Sequence, residues 1–266
     1  MLKKMSDKEY FNLPAASNSF LVRLSKSLAH AKTPMTPTPA MKIGTMIHRY
    51  FLEPEVFAET YILELPIDKR TKKYKNFKED HKGKILYSGK DQEMLDGIEK
   101  VMSEYTLTAP GEENPFEIEK KPELPCVNVR DLIRNSVTEV AGFWRQDGID
   151  CKMKIDAIYA IYDKALLIDL KKTYDIEQFK WSVKKYKYYR QAALYLSGYK
   201  AITGIDATFI FLAIESSAPY GVKGFTLSDA MLKQGQEENE AALWLYKNMN
   251  KYQENKVYNN GVEALC

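Results

Sequence analysis

Residues 152–171 read Lys-Met-Lys-Ile-Asp-Ala-Ile-Tyr-Ala-Ile-Tyr-Asp-Lys-Ala-Leu-Leu-Ile-Asp-Leu-Lys. Strand-forming residues lie on both sides of Asp163-Lys164, the pattern of two antiparallel strands joined by a two-residue turn. With that turn as pivot, Asp156 faces Lys171 and Ile158 faces Asp169. Side chains alternate faces, so Asp156, Asp169 and Lys171 project together and the two carboxylates are diagonal neighbours. Adjacent carboxylates repel unless a cation or a proton lies between them. A hard oxygen-ligand site for Mg²⁺ or Mn²⁺ answers that need, with Lys171 beside it to hold or activate a water. An exposed hairpin with Asp and Lys paired across its strands would leave the same string, so the surroundings decide.

Outward from the hairpin, residues 136–144 and 207–215 have strand composition. A long helix is expected over 176–199, with Lys184, Tyr188, Gln191 and Tyr195 on one stripe. Polar groups on a stripe that should pack against a sheet are hard to explain as core alone. An amphipathic helix is expected over 229–250. Upstream, one helix is expected over 17–32, and a second from Pro39 to about Leu52 carries Met41, Gly44, Thr45, His48 and Leu52. Residues 66–90 read as an exposed basic loop, 91–105 as a helix, and 109–124 as a Pro- and Glu-rich linker or excursion. The expected fold is α/β, with a small mixed central sheet flanked by helices. Residues 1–266 read as one domain, in which 1–125 wrap a catalytic core formed by 126–266.

The 266 residues hold 39 basic and 36 acidic side chains and are 45% hydrophobic, an ordinary globular composition. No apolar run is long enough for a membrane span, and residues 1–10 lack the apolar stretch of a secretory signal. Three cysteines, Cys126, Cys151 and Cys266, with no CxxC pair, argue against a disulfide framework or a four-cysteine metal site. They favour a reducing, cytoplasmic setting. The charge is unevenly placed. Eight Lys/Arg against two acids lie between Lys69 and Lys84, and six with no acid between Gln178 and Lys200, interleaved there with Trp181, Tyr186, Tyr188, Tyr189, Tyr195 and Tyr199. Two such segments suit a positive surface presented to a polyanion.

Six strings, in order, resemble the PD-(D/E)XK nuclease superfamily and within it the RecE, or exonuclease VIII, type of phage recombination exonuclease. They are Tyr10 with Ser17-Asn-Ser-Phe-Leu21; Met41-Lys-Ile-Gly-Thr-Met-Ile-His48 with Leu52-Glu-Pro-Glu-Val-Phe57; Arg70-Thr-Lys72; Cys151-Lys152 with Asp156 and Asp169-Leu-Lys171; Gln191-Ala-Ala-Leu-Tyr195; and Ile214-Glu215 with Pro219-Tyr220. Where the family has an arginine two residues before the first aspartate, this chain has Lys154. The resemblance implies a restriction-endonuclease-like core with an N-terminal helical elaboration. It also implies that Asp156, Asp169 and the Leu170 carbonyl bind Mg²⁺ (Mn²⁺ substituting), with His48 approaching the metal and Glu139 as the upstream acid. Lys171 would orient the attacking water, and Gln191 and Tyr195 would position the phosphate or the lysine. Arg70, Lys72, Lys73, Lys184, Lys187 and Arg190 are the candidate DNA contacts. The activity implied is 5′→3′ digestion of duplex DNA ends to leave 3′ overhangs, by a ring-shaped trimer or tetramer. A RecT-type annealing protein would be its partner, inside a bacterial host of phage or prophage. The alternatives are another nuclease on the same core, an endonuclease or a Cas4-like end-processing enzyme, and an inert DNA-binding protein of the same fold.

Overall fold

The computed structural model describes residues 1–108, 127–161 and 163–251. The first half is β1 (Leu2–Lys4), α1 (Asp7–Asn12), α2 (Asn18–Leu24), α3 (Leu28–Lys32), α4 (Pro39–Leu52), α5 (Pro54–Thr60), β2 (Tyr61–Leu63), α6 (Lys72–Asp80), β3 (Ile85–Tyr87), α7 (Gly89–Glu104) and β4 (Thr106–Leu107). The second is β5 (Val127–Asn128), α8 (Val129–Arg134), β6 (Val137–Gln146), β7 (Ile149–Ile161), β8 (Lys164–Thr173), α9 (Phe179–Lys185), α10 (Tyr188–Thr203), β9 (Ala207–Glu215), β10 (Val222–Phe225) and α11 (Asp229–Lys247).

The central sheet runs β1-β6-β7-β8-β9-β10. Its β8 and β9 are parallel and every other neighbouring pair is antiparallel. A parallel pair needs a crossover connection, and α9 and α10 supply it. The fold is therefore α/β with a mixed sheet, as the sequence reading expects. Alternation along β8 sorts the layers: Leu166, Ile168 and Leu170 pack against Ile47 of α4, Leu95 and Ile98 of α7, and Leu132 and Ile133 of α8. Leu167 lies in the opposite layer with Leu21 of α2, Leu194 and Tyr199 of α10, and Leu243 of α11. Each such side chain withdrawn from water contributes roughly 1.5–3 kcal/mol. A carbon added at Gly198 would meet the Trp144 ring at 2.8 Å, so glycine lets α10 lie directly on β6.

Four expectations are corrected. The hairpin pairs Ile158 with Leu167 and Ile161 with Lys164, two residues away from the expected register. An even slip keeps the expected face of every paired residue, so Asp169 and Lys171 still share one. Asp156 lies beyond the paired stretch, where β7 changes faces, Met153 and Ile155 packing in the layer of Leu167 and Ala157 in that of Leu166. The helix expected over 17–32 is two, α2 and α3, because Ser25 bonds back to the Leu21 carbonyl and Ser27 starts a new helix by capping the His30 amide. The helix expected over 176–199 breaks at Lys187, which adopts a left-handed backbone with φ 56°. The basic loop over 66–90 contains α6, capped by Thr71 and anchored by buried Tyr74, and β3, which pairs in parallel with β2. The linker over 109–124, Cys126 and Cys266 lie outside the described residues. Among those residues no helix is long and apolar enough to cross a membrane.

Candidate active site

The β7–β8 ladder stops at Ala157 and Ile168. Beyond that point the Leu170 amide donates to the Asp156 Oδ2 at 2.8 Å, so a carboxylate stands where the next strand would be. β7 stays paired to β6 and β8 to β9, so the two strands part around Asp156. Helix α4, opened by Pro39 and capped by Thr38, brings His48 to the gap. His48 Nε2 lies 2.8 Å from the Leu170 carbonyl. A carbonyl only accepts, so Nε2 carries the proton and Nδ1 keeps its lone pair, 3.5 Å from Asp156 Oδ2. From β6 comes Glu139, whose left-handed backbone (φ 55°) turns its side chain to the same place. Positive φ in a non-glycine residue costs on the order of 1–3 kcal/mol and is concentrated at functional sites. One ligand atom from each of His48, Glu139 and Asp156 lies within 4.8 Å of the others.

The electrostatics of this trio are those of a site built for positive charge. Burial, and then Asp169, push the Asp156 carboxyl up to about 8. Burial, and then Asp156, push Glu139 up to about 7, against the pull of Lys154. Burial lowers His48, and Lys171 lowers it further, so the imidazole is neutral and able to ligate.

Asp169 sits beside the trio. It is buried, accepts from Gln191 Nε2 on one oxygen and contacts the Lys171 ammonium with the other. Burial works against the Lys171 charge, yet Asp169 and Asp156 hold its pKa above the ordinary value. The same ammonium lies 4.8 Å from the centre of the Tyr188 ring. Tyr195 is buried under this group with the Lys154 backbone against its hydroxyl. Tyr188, Gln191 and Tyr195 thus share one face of α10. Lys184 leaves that stripe because the break at Lys187 puts it on α9.

Two residues that sequence reasoning gave no role support Glu139 from behind. Lys154 Nζ lies 2.5 Å from both Glu139 Oε2 and Asp7 Oδ1. Asp7 Oδ2 is in turn 2.7 Å from Arg49, which also reaches Glu53 at 3.4 Å. The local signal for α1 was legible: Ser6 and Glu9 cap each other's amides in a capping box. Nothing local says that Asp7 meets a strand 147 residues away.

The candidate DNA contacts are less uniform than expected. Arg190 is fully buried, bonded to Asn239 Oδ1 at 3.0 Å and Ser25 Oγ at 2.9 Å, so it cannot touch a surface ligand. Lys187 pairs with Glu238 at 2.9 Å. Arg70 is exposed but pairs with Asp68. Lys72 and Lys73 are exposed at the start of α6, and Lys184 is exposed on α9.

The donor chemistry fits a divalent cation. An imidazole nitrogen and two carboxylate oxygens suit Mg²⁺ or Mn²⁺; ligands ~2.1 Å from one ion lie at most ~4.2 Å apart, so atoms within 4.8 Å of one another need close in by less than ~1 Å to share it. The Leu170 carbonyl accepts from His48 and keeps a second lone pair with which a carbonyl can also ligate a cation.

A family model described as a PDDEXK-like domain of unknown function (DUF3799) matches residues 17–265. The chain belongs to this family. Among solved structures, a protein of Eubacterium rectale described as a "Putative exonuclease" aligns with a TM-score of 0.59 at 14% identity, covering 98% of this chain and 97% of its own. At that identity the likeness is one of fold. A second, SSO0001, aligns over 42% of this chain and 50% of its own at 19% identity, with a TM-score of 0.28, and carries no argument. No curated protein matches the chain. In this DUF3799 member the order of Asp156 and Asp169-x-Lys171 has the residue types that the PDDEXK description spells out.

Proposed function

We propose that the protein is a divalent-cation-dependent nuclease that hydrolyses DNA phosphodiesters. The observation that carries this reading is the meeting of His48, Glu139 and Asp156 where β7 and β8 part, with the Lys171 ammonium on the neighbouring carboxylate. A cation held there supplies positive charge to the scissile phosphate and makes a nearby water more acidic. In this reading Lys171 holds the attacking water and offsets charge growing on the phosphate oxygens. Gln191 fixes the carboxylate that keeps Lys171 in position. His48 orients itself on the Leu170 carbonyl, so its free nitrogen faces the acids.

Within that chemistry the reading is a RecE-type exonuclease acting 5′→3′ on duplex ends, as one nuclease domain. The order of the six motif strings supports it, and so does the description of the Eubacterium rectale fold relative. The 3′ overhang it leaves is the substrate of a RecT-type annealing protein, and a ring of three or four copies in the bacterial cytoplasm would retain the product strand. Incubating supercoiled, nicked and linear forms of one plasmid with Mg²⁺ or Mn²⁺ tests this. Linear duplex should be consumed from its 5′ ends while the supercoiled circle resists. Rapid linearisation of the circle would establish an endonuclease instead, and no cleavage with either cation would sink the enzymatic reading.

A further inference from the structure

The segment between the catalytic strand and α10 has aromatic rings where a buried crossover would have none. Trp181 is 58% exposed and Tyr186 is 53% exposed. Trp181 projects from a short helix whose buried face is Phe179 and Val183, and Tyr186 caps its C-terminal end. Each ring is attended by ammonium groups: Lys180 and Lys184 both lie 5.7 Å from the Trp181 ring, and Lys185 lies 5.4 Å from that of Tyr186. The segment is continuous with the active site. Tyr186 lies 5.6 Å from Tyr188, and Tyr188 carries the Lys171 ammonium over its ring.

From this we infer that α9 and Tyr186 form a docking surface for an unpaired nucleic-acid strand, with bases stacked on Trp181 and Tyr186 and phosphates met by Lys180, Lys184 and Lys185. The inference rests on the nuclease reading for its biological sense and on the surface itself for its chemistry. Charge complementarity selects a polyanion, since 180–187 holds four lysines and no acid. The exposed ring faces select the kind. Bases in a duplex hide their faces in the stack, whereas an unpaired strand can place them on aromatic side chains. The lysines now resting on the rings are released to phosphate when a base takes their place. The path from Tyr186 through Tyr188 leads that strand to Lys171. The surface thus holds the strand next to the bond being cut, or the strand just freed by cutting.

Stacking is worth ~1–3 kcal/mol per base, which is about a 5- to 150-fold change in affinity. The test is fluorescence anisotropy with the full chain, using labelled oligo-dT and a labelled duplex of equal length. EDTA is present so that nothing is cleaved, and the readout does not depend on activity. W181A and Y186A should each weaken oligo-dT binding about tenfold and duplex binding less than twofold, while W181F retains most of the affinity. Oligo-dT should also quench tryptophan emission in the wild type, and W181F should lose that quench. An oligo-U arm asks whether the sugar matters; equal binding keeps the surface as one for unpaired strands in general. Equal losses on single strand and duplex would reduce the rings to scaffolding for the lysines and overturn the inference. Unchanged oligo-dT affinity in both alanine variants would overturn it too, and would point to a protein partner for these rings. A wild type that cleaves nothing yet shows these binding differences would refute the nuclease reading alone.

Discussion

Replacing Lys154 by methionine removes one charge and almost no volume, and the consequence should depend on pH. The ammonium touches Glu139 and Asp7, and its side chain is only 14% exposed, as is that of Glu139. At an effective dielectric constant of ~20 and a separation of ~4 Å, one such pair is worth ~4 kcal/mol before desolvation is counted. That full amount will not be observed, because Glu139 can escape by taking a proton. Glu139 sits at about 7 in the intact protein. Near pH 6 it is already largely protonated and Lys154 adds little. Near pH 8 it is charged, and losing that ionisation forfeits ~1.4 kcal/mol, with up to ~1 kcal/mol more from the part-exposed Asp7 contact. At ~2–4 °C per kcal/mol for a chain of this size, K154M should melt ~3–10 °C lower near pH 8 and at most ~4 °C lower near pH 6, where only the Asp7 contact is lost. A Glu139 that keeps its proton must give it up to ligate a cation, so half-saturating Mn²⁺ at neutral pH should rise about tenfold or more. K154R, which restores the charge found at this position in the resembling family, should recover both. Thermal melts at the two pH values and a Mn²⁺ titration of activity make the comparison. An equal loss of stability at both, with an unchanged Mn²⁺ requirement, would show that Lys154 is only packing and that Glu139 is no ligand.

D156N and D169N should each abolish cleavage while leaving DNA binding in EDTA near wild type, because phosphate contacts elsewhere carry affinity; turnover in either would remove it from the site. H48A should keep its melting temperature within a few degrees, lose most activity and recover part of it at high Mn²⁺. A large fall in melting temperature with activity retained in the cold would make His48 a core residue. In cation-free protein the raised Asp156 and Glu139 mean that the folded state holds protons the unfolded chain has lost. Their contribution to stability is therefore greatest in acid and is lost as the pH climbs from about 4 to about 8. Mn²⁺ should raise the melting temperature more near pH 8 than near pH 5.5, and an equal rise at both would detach these acids from the cation.

What the sequence made legible follows from the range over which each signal acts. The β7–β8 hairpin shows itself because alternation is a local property; the parting of its strands at Asp156 is not, since alternation says nothing of where pairing stops. The break at Lys187 is invisible because nothing in Lys-Tyr-Lys-Tyr-Tyr favours a left-handed residue; the Lys187–Glu238 pair, formed with α11, holds the chain there. α6 is hidden for a different reason: its buried surface is little more than Tyr74 in a lysine-rich run, too small a stripe to read as periodicity. Arg190 misleads because a cation in a basic segment looks alike whether it meets phosphate or Asn239. Within the site, the acids and Lys171 were read from spacing, and His48 and Glu139 from resemblance. The Asp7–Lys154–Arg49 chain could not be read at all, since it joins three segments that only the fold brings together.

Arg190 and Gln191 are consecutive, so they leave α10 about 100° apart around its axis. The first is clasped by Asn239 of α11 and by Ser25 at the end of α2; the second reaches Asp169. The buried guanidinium therefore acts as a torsional lock, fixing the rotation of the helix and with it the aim of Tyr188, Gln191 and Tyr195. Asn239 also donates to the Arg190 carbonyl, clamping main chain and side chain at once. The alignment of Lys171 is thus set in part by a side chain of the last long helix that touches neither cation nor phosphate. Drift in catalytic rate without loss of fold is what loosening that clasp would produce.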